Sequence, residues 1–371
     1  MMAARRVFAL NVHATYACQH SGACCTAGWP IPVEPDRQAR LGAAILLPES
    51  NGACRFYDGS ARRCRVHLAH GEAALPSSCA HFPRRALVDD RGVFVTLSHF
   101  CPTAAAGLVR ATDRLSIVES PPAFPTDHEY EGLDATGAWP PLVKADLLFD
   151  LTGYSAWERF LVARLGEPDG TTRDALVHIA CAGEELRRWK PAEQPFASML
   201  AALALVVPSG DATSSAWQRY DPFTTVDAYQ RLLTLIPEGL DRPRLSGIVR
   251  DSPAIEPNAW GTLGSAAKRY LAAKAFASWA AYEASGVRTA IAELVLSELV
   301  LRVETARAME RLQRTLDEET MIASVREADR LLIHLVDRKQ LMTWLSHAEG
   351  PHQGVDCHTT RPTKNGPRRS R

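Results

Sequence analysis

Residues 18–25 read CQHSGACC, and they open a run of cysteines, Cys18, Cys24, Cys25, Cys54, Cys64, Cys79 and Cys101, that holds seven of the nine in the chain. Cys181 and Cys357 stand far downstream. Such crowding needs a chemical reason: a disulfide framework, a metal site or a thiol redox centre. A chain of 371 residues, 46% of them hydrophobic, can bury a full core without covalent staples. The N-terminal stretch MMAARRVFALNVHATYA carries only a four-residue apolar run, too short for a signal-peptide core. No uninterrupted apolar run approaches the roughly 20 residues of a membrane span. The expectation is therefore a cytoplasmic protein with no membrane partner and with its thiols reduced, which puts metal or redox chemistry ahead of disulfides. With 42 basic and 42 acidic residues the formal net charge is zero, which argues against a nucleic-acid partner.

Around the cysteines the local patterns are short. Residues 7–17 alternate weakly and read as a strand leading into Cys18. The glycine and small residues of CQHSGACC permit a tight turn that brings several thiols together. Adjacent Cys24 and Cys25 diverge in extended backbone, so one is expected to ligate while the other packs or serves a second centre. Cys54 and Cys64 bracket a segment with Asp58-Gly59 as a turn signal, so both sulfurs can face one side of a hairpin. CAHFPRR follows at Cys79, then the strand GVFVTL at Gly92–Leu97, which delivers LSHFCP and Cys101.

From Glu119 to Pro141 prolines, acids and glycine mark a connector. Beyond it the pattern is helical. Ser155 with Glu158, and Thr224 with Asp227, read as capping boxes, and Asn258 as the cap of a helix running towards Gly286. A helix from Val287 to about Leu316 repeats Ile291, Val295, Leu299 and Val303 on one face and is expected at the centre of the second core. A last helix spans about Thr320 to Leu345. The expected fold class is α+β: a small cysteine-rich metal-binding domain over 1–118, a Pro-rich linker over 119–141, an all-helical domain over 142–345, and a disordered basic tail over 346–371.

The cysteine spacings of 6, 1, 29, 10, 15 and 22 contain no CxxC. Paired zinc knuckles are thereby disfavoured, and a pocket assembled from several loops, of the iron–sulfur kind, is favoured. The competing reading is a zinc staple that only holds a small domain together. His81 and His99 flank cysteines and are candidate ligands or proton carriers, although a lone histidine is more often structural. Cys181 reads as a helix packing residue and Cys357 as part of the tail. Arg62, Arg63, Arg84 and Arg85 could bind an anion or a carboxylate. No Gly-rich strand-to-helix loop of the Rossmann type is present, so a nucleotide-like cofactor would need a site of another design.

The order Cys18, Cys24-Cys25, Cys54, Cys64, then Cys79 in CAHFPR and Cys101 in LSHFCP, resembles the YkgJ-type cysteine-cluster proteins, which chelate zinc or iron. It is more similar to their FliB-like branch, the flagellin lysine-N-methylases. The resemblance spans roughly residues 14–106, with a thinner likeness around KRYLAAKAFASW at 268–279. It implies a 4Fe–4S cluster (alternatively zinc) on some of the seven cysteines, S-adenosylmethionine as methyl donor, and lysines of a protein such as flagellin as substrate. The opening motif departs from the family's CxxCxxCC, because Ser21 replaces its second cysteine. The remaining thiols still exceed the four that a cluster needs. A methylated lysine must first be neutral, which desolvation or a nearby positive charge promotes. The alternative is a non-catalytic zinc- or iron-chelating module.

Overall fold

The run Gly92–Leu97 forms the strand expected of it, and a five-stranded sheet is built around it. The computed structural model describes residues 5–126, 130–190, 193–204, 216–250, 252, 254, 256 and 260–350. Its strands are β1 (Val7–Leu10), β2 (Ile31–Pro32), β3 (Ile45–Leu46), β4 (Tyr57–Asp58), β5 (Arg63–Cys64), β6 (Arg84–Asp89), β7 (Gly92–Leu97), β8 (Ile117–Glu119), β9 (Gly132–Asp134), β10 (Leu142–Lys144) and β11 (Leu147–Leu148). The main sheet has the order β8-β1-β7-β6-β9, with β1 parallel to β7 and antiparallel to β8. The molecule is mixed α and β, about half helical, with a helical C-terminal region.

Period-two alternation divides the side chains of β6 and β7 between two environments. Leu87 and Phe94 join the large core formed by the helices. Ala86, Val88, Val93, Val95 and Leu97 pack on the other face with Cys101 and Phe124. The same alternation sends Arg84 and Arg85 to opposite faces.

Several expectations change. The strand over 7–17 stops at Leu10 and tightens into a 3₁₀ turn at Asn11–His13. The Pro-rich stretch 119–141 is not merely a connector, since it supplies the edge strand β9, parallel to β6. Gly132 makes this possible, because a Cβ there would collide with the Ala86 carbonyl. Helix Leu151–Leu165 is capped by Asp150, which accepts from Gly153 N at 2.6 Å. Ser155 and Glu158 lie inside that helix, and Glu158 is buried against Arg91 at 3.2 Å. Thr225 rather than Thr224 caps Val226–Thr234. Asn258 lies outside the described residues.

The central helix runs Val287–Leu312, and Ile291, Val295, Leu299 and Val303 are each at most 1% exposed. The final helix is broken. Glu318–Asp329 passes into a π-helical turn, Arg330–Leu335, before Arg338–Leu345. The chain does not become a tail at Ser346, because Ser346–Glu349 forms a turn whose Glu349 accepts from Arg187 at 2.6 Å and Thr289 N at 3.0 Å. Residues 351–371, including Cys357, lie outside the described residues. Among the described residues no helix is long and apolar enough to cross a membrane.

Candidate functional site

All seven clustered cysteines line one cavity of about 500 Å³. Short elements bring them there, for between residues 18 and 81 the helices have only five to seven residues and the strands two. Cys24 and Cys25 sit on one 3₁₀ turn, Ala23–Cys25. Gly22 precedes it at φ +73°, where a Cβ would meet Tyr57 at 2.8 Å, so only glycine turns the chain here. The N–H of Cys54 donates to Cys25 O at 2.7 Å and ties the second segment to the first. Cys64 is paired with Tyr57 across the β4–β5 hairpin, as its flanking sequence suggested. Cys79 comes from helix Ser77–His81, and Cys101 from the cap position of helix Pro102–Arg110.

The seven thiols are free and divide into two groups. Cys24 and Cys25 have their sulfurs 4.0 Å apart. Their shared hydrogen bond lowers the Cys24 thiol and raises that of Cys25. A hydrogen bond with Cys25 outweighs burial and, helped by the His67 and Val66 N–H groups, holds Cys64 down to about 6. Burial pushes Cys79 up, with the charges of Cys24, Cys54 and Cys64 adding to it. Burial likewise raises Cys54, again with contributions from Cys64 and Cys24. These five thiols therefore act on one another. Cys18 and Cys101 lie instead around Tyr16, whose hydroxyl is 3.6 Å from Cys101 Sγ and whose ionisation is suppressed first by burial and then by Cys101.

Arg62, Arg63 and Arg84 also line the cavity. The donor chemistry fits a thiolate-bound group: seven soft sulfur atoms, free, with cations at hand. One zinc ion would need four ligands roughly 3.8 Å apart, the spacing that a tetrahedral site with Zn–S near 2.3 Å imposes. Among the described residues no three His, Cys, Asp or Glu side chains are set to hold a single ion.

The two candidate histidines do not line this cavity. His99 is buried, its Nδ1–H donating to Asp329 at 3.1 Å, which leaves Nε2 to accept from His13 at 3.0 Å. His81 is in the wall of a neighbouring cavity, with Glu131 at 3.6 Å. Cys181 is buried in helix Thr172–Arg187 as a packing residue. Sequence reasoning missed Tyr16 and the buried network of Asp329, Lys274, Tyr270 and His13. No local pattern marks them, since each meets its partners only across the fold. No protein-family model, no curated protein and no solved structure matches this chain.

Proposed function

We propose that this chain is an iron–sulfur protein that serves as an S-adenosylmethionine-dependent N-methyltransferase on lysines of a protein substrate. The observation that carries the first half is the meeting of seven free thiols in one cavity of about 500 Å³. We assign the ligands to four of Cys24, Cys25, Cys54, Cys64 and Cys79, because Cys24 and Cys25 have their sulfurs 4.0 Å apart, the Cys54 N–H is bonded to Cys25 O, and Cys54, Cys64 and Cys79 border one small core. Held on four thiolates, a 4Fe–4S cluster would have every iron filled and would supply the cavity with a compact, redox-active wall. The residues of the chain do the rest. Arg84 offsets thiolate charge from the sheet side, while exposed Arg62 and Arg63 place positive charge at the wall. Such charge lowers the pKa of an approaching ammonium and favours the neutral amine that methyl transfer requires. The methylase half is supported by the order of cysteine motifs over residues 14–106 and by their resemblance to flagellin lysine-N-methylases.

A second reading, a non-catalytic zinc- or iron-chelating protein, is favoured by the 4.0 Å separation of Cys24 and Cys25, which is close to that of two ligands of one ion. Metal and acid-labile sulfide analysis of protein purified without oxygen separates the two. The proposal expects about four irons and four sulfides per chain. Cys64→Ser and Cys79→Ser should each lose more than half of both, with Cys18→Ser retaining them. Stoichiometric zinc without sulfide would sink the cluster and leave the chelator. With the cluster present, a lysine-bearing protein that gains no methyl groups from the donor would sink the methylase half alone.

A further inference from the structure

Beside the thiol cavity lies a second one of about 540 Å³, at the start of β6. Phe82 and Arg84 line both cavities. The volume is that of a small-molecule site. Its wall contains three aromatic rings, Phe82, Tyr130 and Trp279, together with Arg85.

Arg85 is the unusual member. It emerges on the helical face of the sheet, where it also borders a smaller cavity with Lys274, Glu293 and Arg338, and its guanidinium carbon lies 4.5 Å from the centre of the Trp279 ring. Among the described residues it has neither an ion pair nor a side-chain hydrogen bond, although three carboxylates are near enough to act on it: Asp329, Glu293 and Glu283. Each of these is already committed elsewhere. Asp329 holds Lys274 at 2.5 Å, and Arg338 holds Glu283 at 2.6 Å and also Glu293. The carboxylate in the cavity wall, Glu131, faces His81. Burial lowers the pKa of Arg85, the direction expected of a cation short of a direct partner. The planar fork of donors on this half-buried guanidinium is thus open to solvent or to a ligand in the cavity. Trp279 is held in place by a bond from Nε1 to Ala86 O at 2.9 Å, so the stacked surface is rigid.

We propose that this cavity binds a small organic anion, a carboxylate or phosphate carried on a flat ring, with Arg85 gripping the anionic group and the aromatic walls taking the ring. The bound anion would lie against the same Phe82 that closes the thiol cavity. The site stands on its own residues, whether or not the thiols carry a cluster.

The test uses the full chain purified without oxygen, with benzoate, adenosine 5′-monophosphate and inorganic phosphate as probes and chloride at matched ionic strength as control. Phenylglyoxal labelling of Arg85 is followed by peptide mass spectrometry. The proposal expects benzoate or the nucleotide to slow labelling of Arg85 at least fivefold, with other arginines unchanged. The two probes tell carboxylate from phosphate. Arg85→Lys, with an unchanged circular dichroism spectrum, should weaken the tryptophan fluorescence response to the same probe at least tenfold. Unprotected Arg85 with every probe, or equal protection by chloride, overturns the site. Protection by inorganic phosphate as strong as that by the ring-bearing probes overturns the role of the aromatic walls. Because the labelling is read on the wild-type chain, a variant that fails to fold does not spare the proposal.

Discussion

Asp329 shows what single residues do in this fold. It is fully buried and accepts from Tyr270 at 3.0 Å and Lys274 at 2.5 Å, and from both the backbone N–H and Nδ1 of His99 at 2.5 and 3.1 Å. Burial alone would raise its pKa, but Lys274 and then His99 overcome this and hold the carboxyl far below the usual range. Asp329→Asn leaves Lys274 buried without its counter-ion, so it should destabilise the protein by about 3–5 kcal/mol in urea unfolding. The pH dependence follows from the sign of the shift. A carboxylate depressed in the folded state stabilises fully above its unfolded pKa, about 3.9, and that contribution drains away as pH falls below it. Wild-type stability should therefore fall more steeply from pH 5 to pH 3 than that of Asp329→Asn. Equal slopes would mean that Asp329 does not carry the charge assigned to it.

Among the elements, helix Gly264–Ala275 and the turn after it tie the main sheet and helix Pro102–Arg110 to the helical region. Lys268, 2% exposed, shares its three N–H donors among the carbonyls of Glu167, Pro168, Asp169 and Gly170, at 2.5–3.2 Å. Arg269 caps helix Pro102–Arg110 through Leu108 O at 2.8 Å and Val109 O at 2.7 Å. The stretch KRYLAAKAFASW, notable in the sequence only as a resemblance, thus gives buried Lys268 and Tyr270 and half-buried Arg269, Lys274 and Trp279 polar contacts across the fold. Lys268→Met leaves four carbonyls without their donor and should cost about 2–4 kcal/mol, with new proteolytic cleavage at 166–171. Arg269→Ala should cost less, about 1–2 kcal/mol, because helix-end carbonyls can turn to water. A Lys268→Met protein as stable as wild type in thermal melts would refute the clamp.

For the whole molecule, the placement of the thiols decides what metal loss does. The large core that joins sheet and helices contains none of the seven clustered cysteines. Cys54, Cys64 and Cys79 instead border a small separate core of Ile31, Val33, Leu41, Leu46 and Val66. Chelation with reductant should therefore leave the helical circular dichroism nearly unchanged while protease cuts appear between residues 18 and 81. A metal-dependent finger, by contrast, unfolds altogether. Global unfolding on chelation would show that the core does not stand without the group the thiols hold.

The sequence by itself determined the elements whose signal is local and long. The strand Gly92–Leu97 follows from its alternation, and the central helix from a 3.6-residue repeat that persisted over seven turns, ending at Leu312 rather than Leu316. The grouping of the cysteines was equally plain, and all seven do line one cavity. Only the tertiary structure decided what depends on distant partners. Ser155 and Thr224 satisfied a capping pattern, yet Asp150 and Thr225 hold the caps, because where a helix begins depends on the packing of its apolar face as well as on its first turn. His99 stands two residues from Cys101 in the chain, but its ring is turned to Asp329, 230 positions away. A buried imidazole goes where a carboxylate can accept a hydrogen bond from its N–H, and that direction is set by the fold around it.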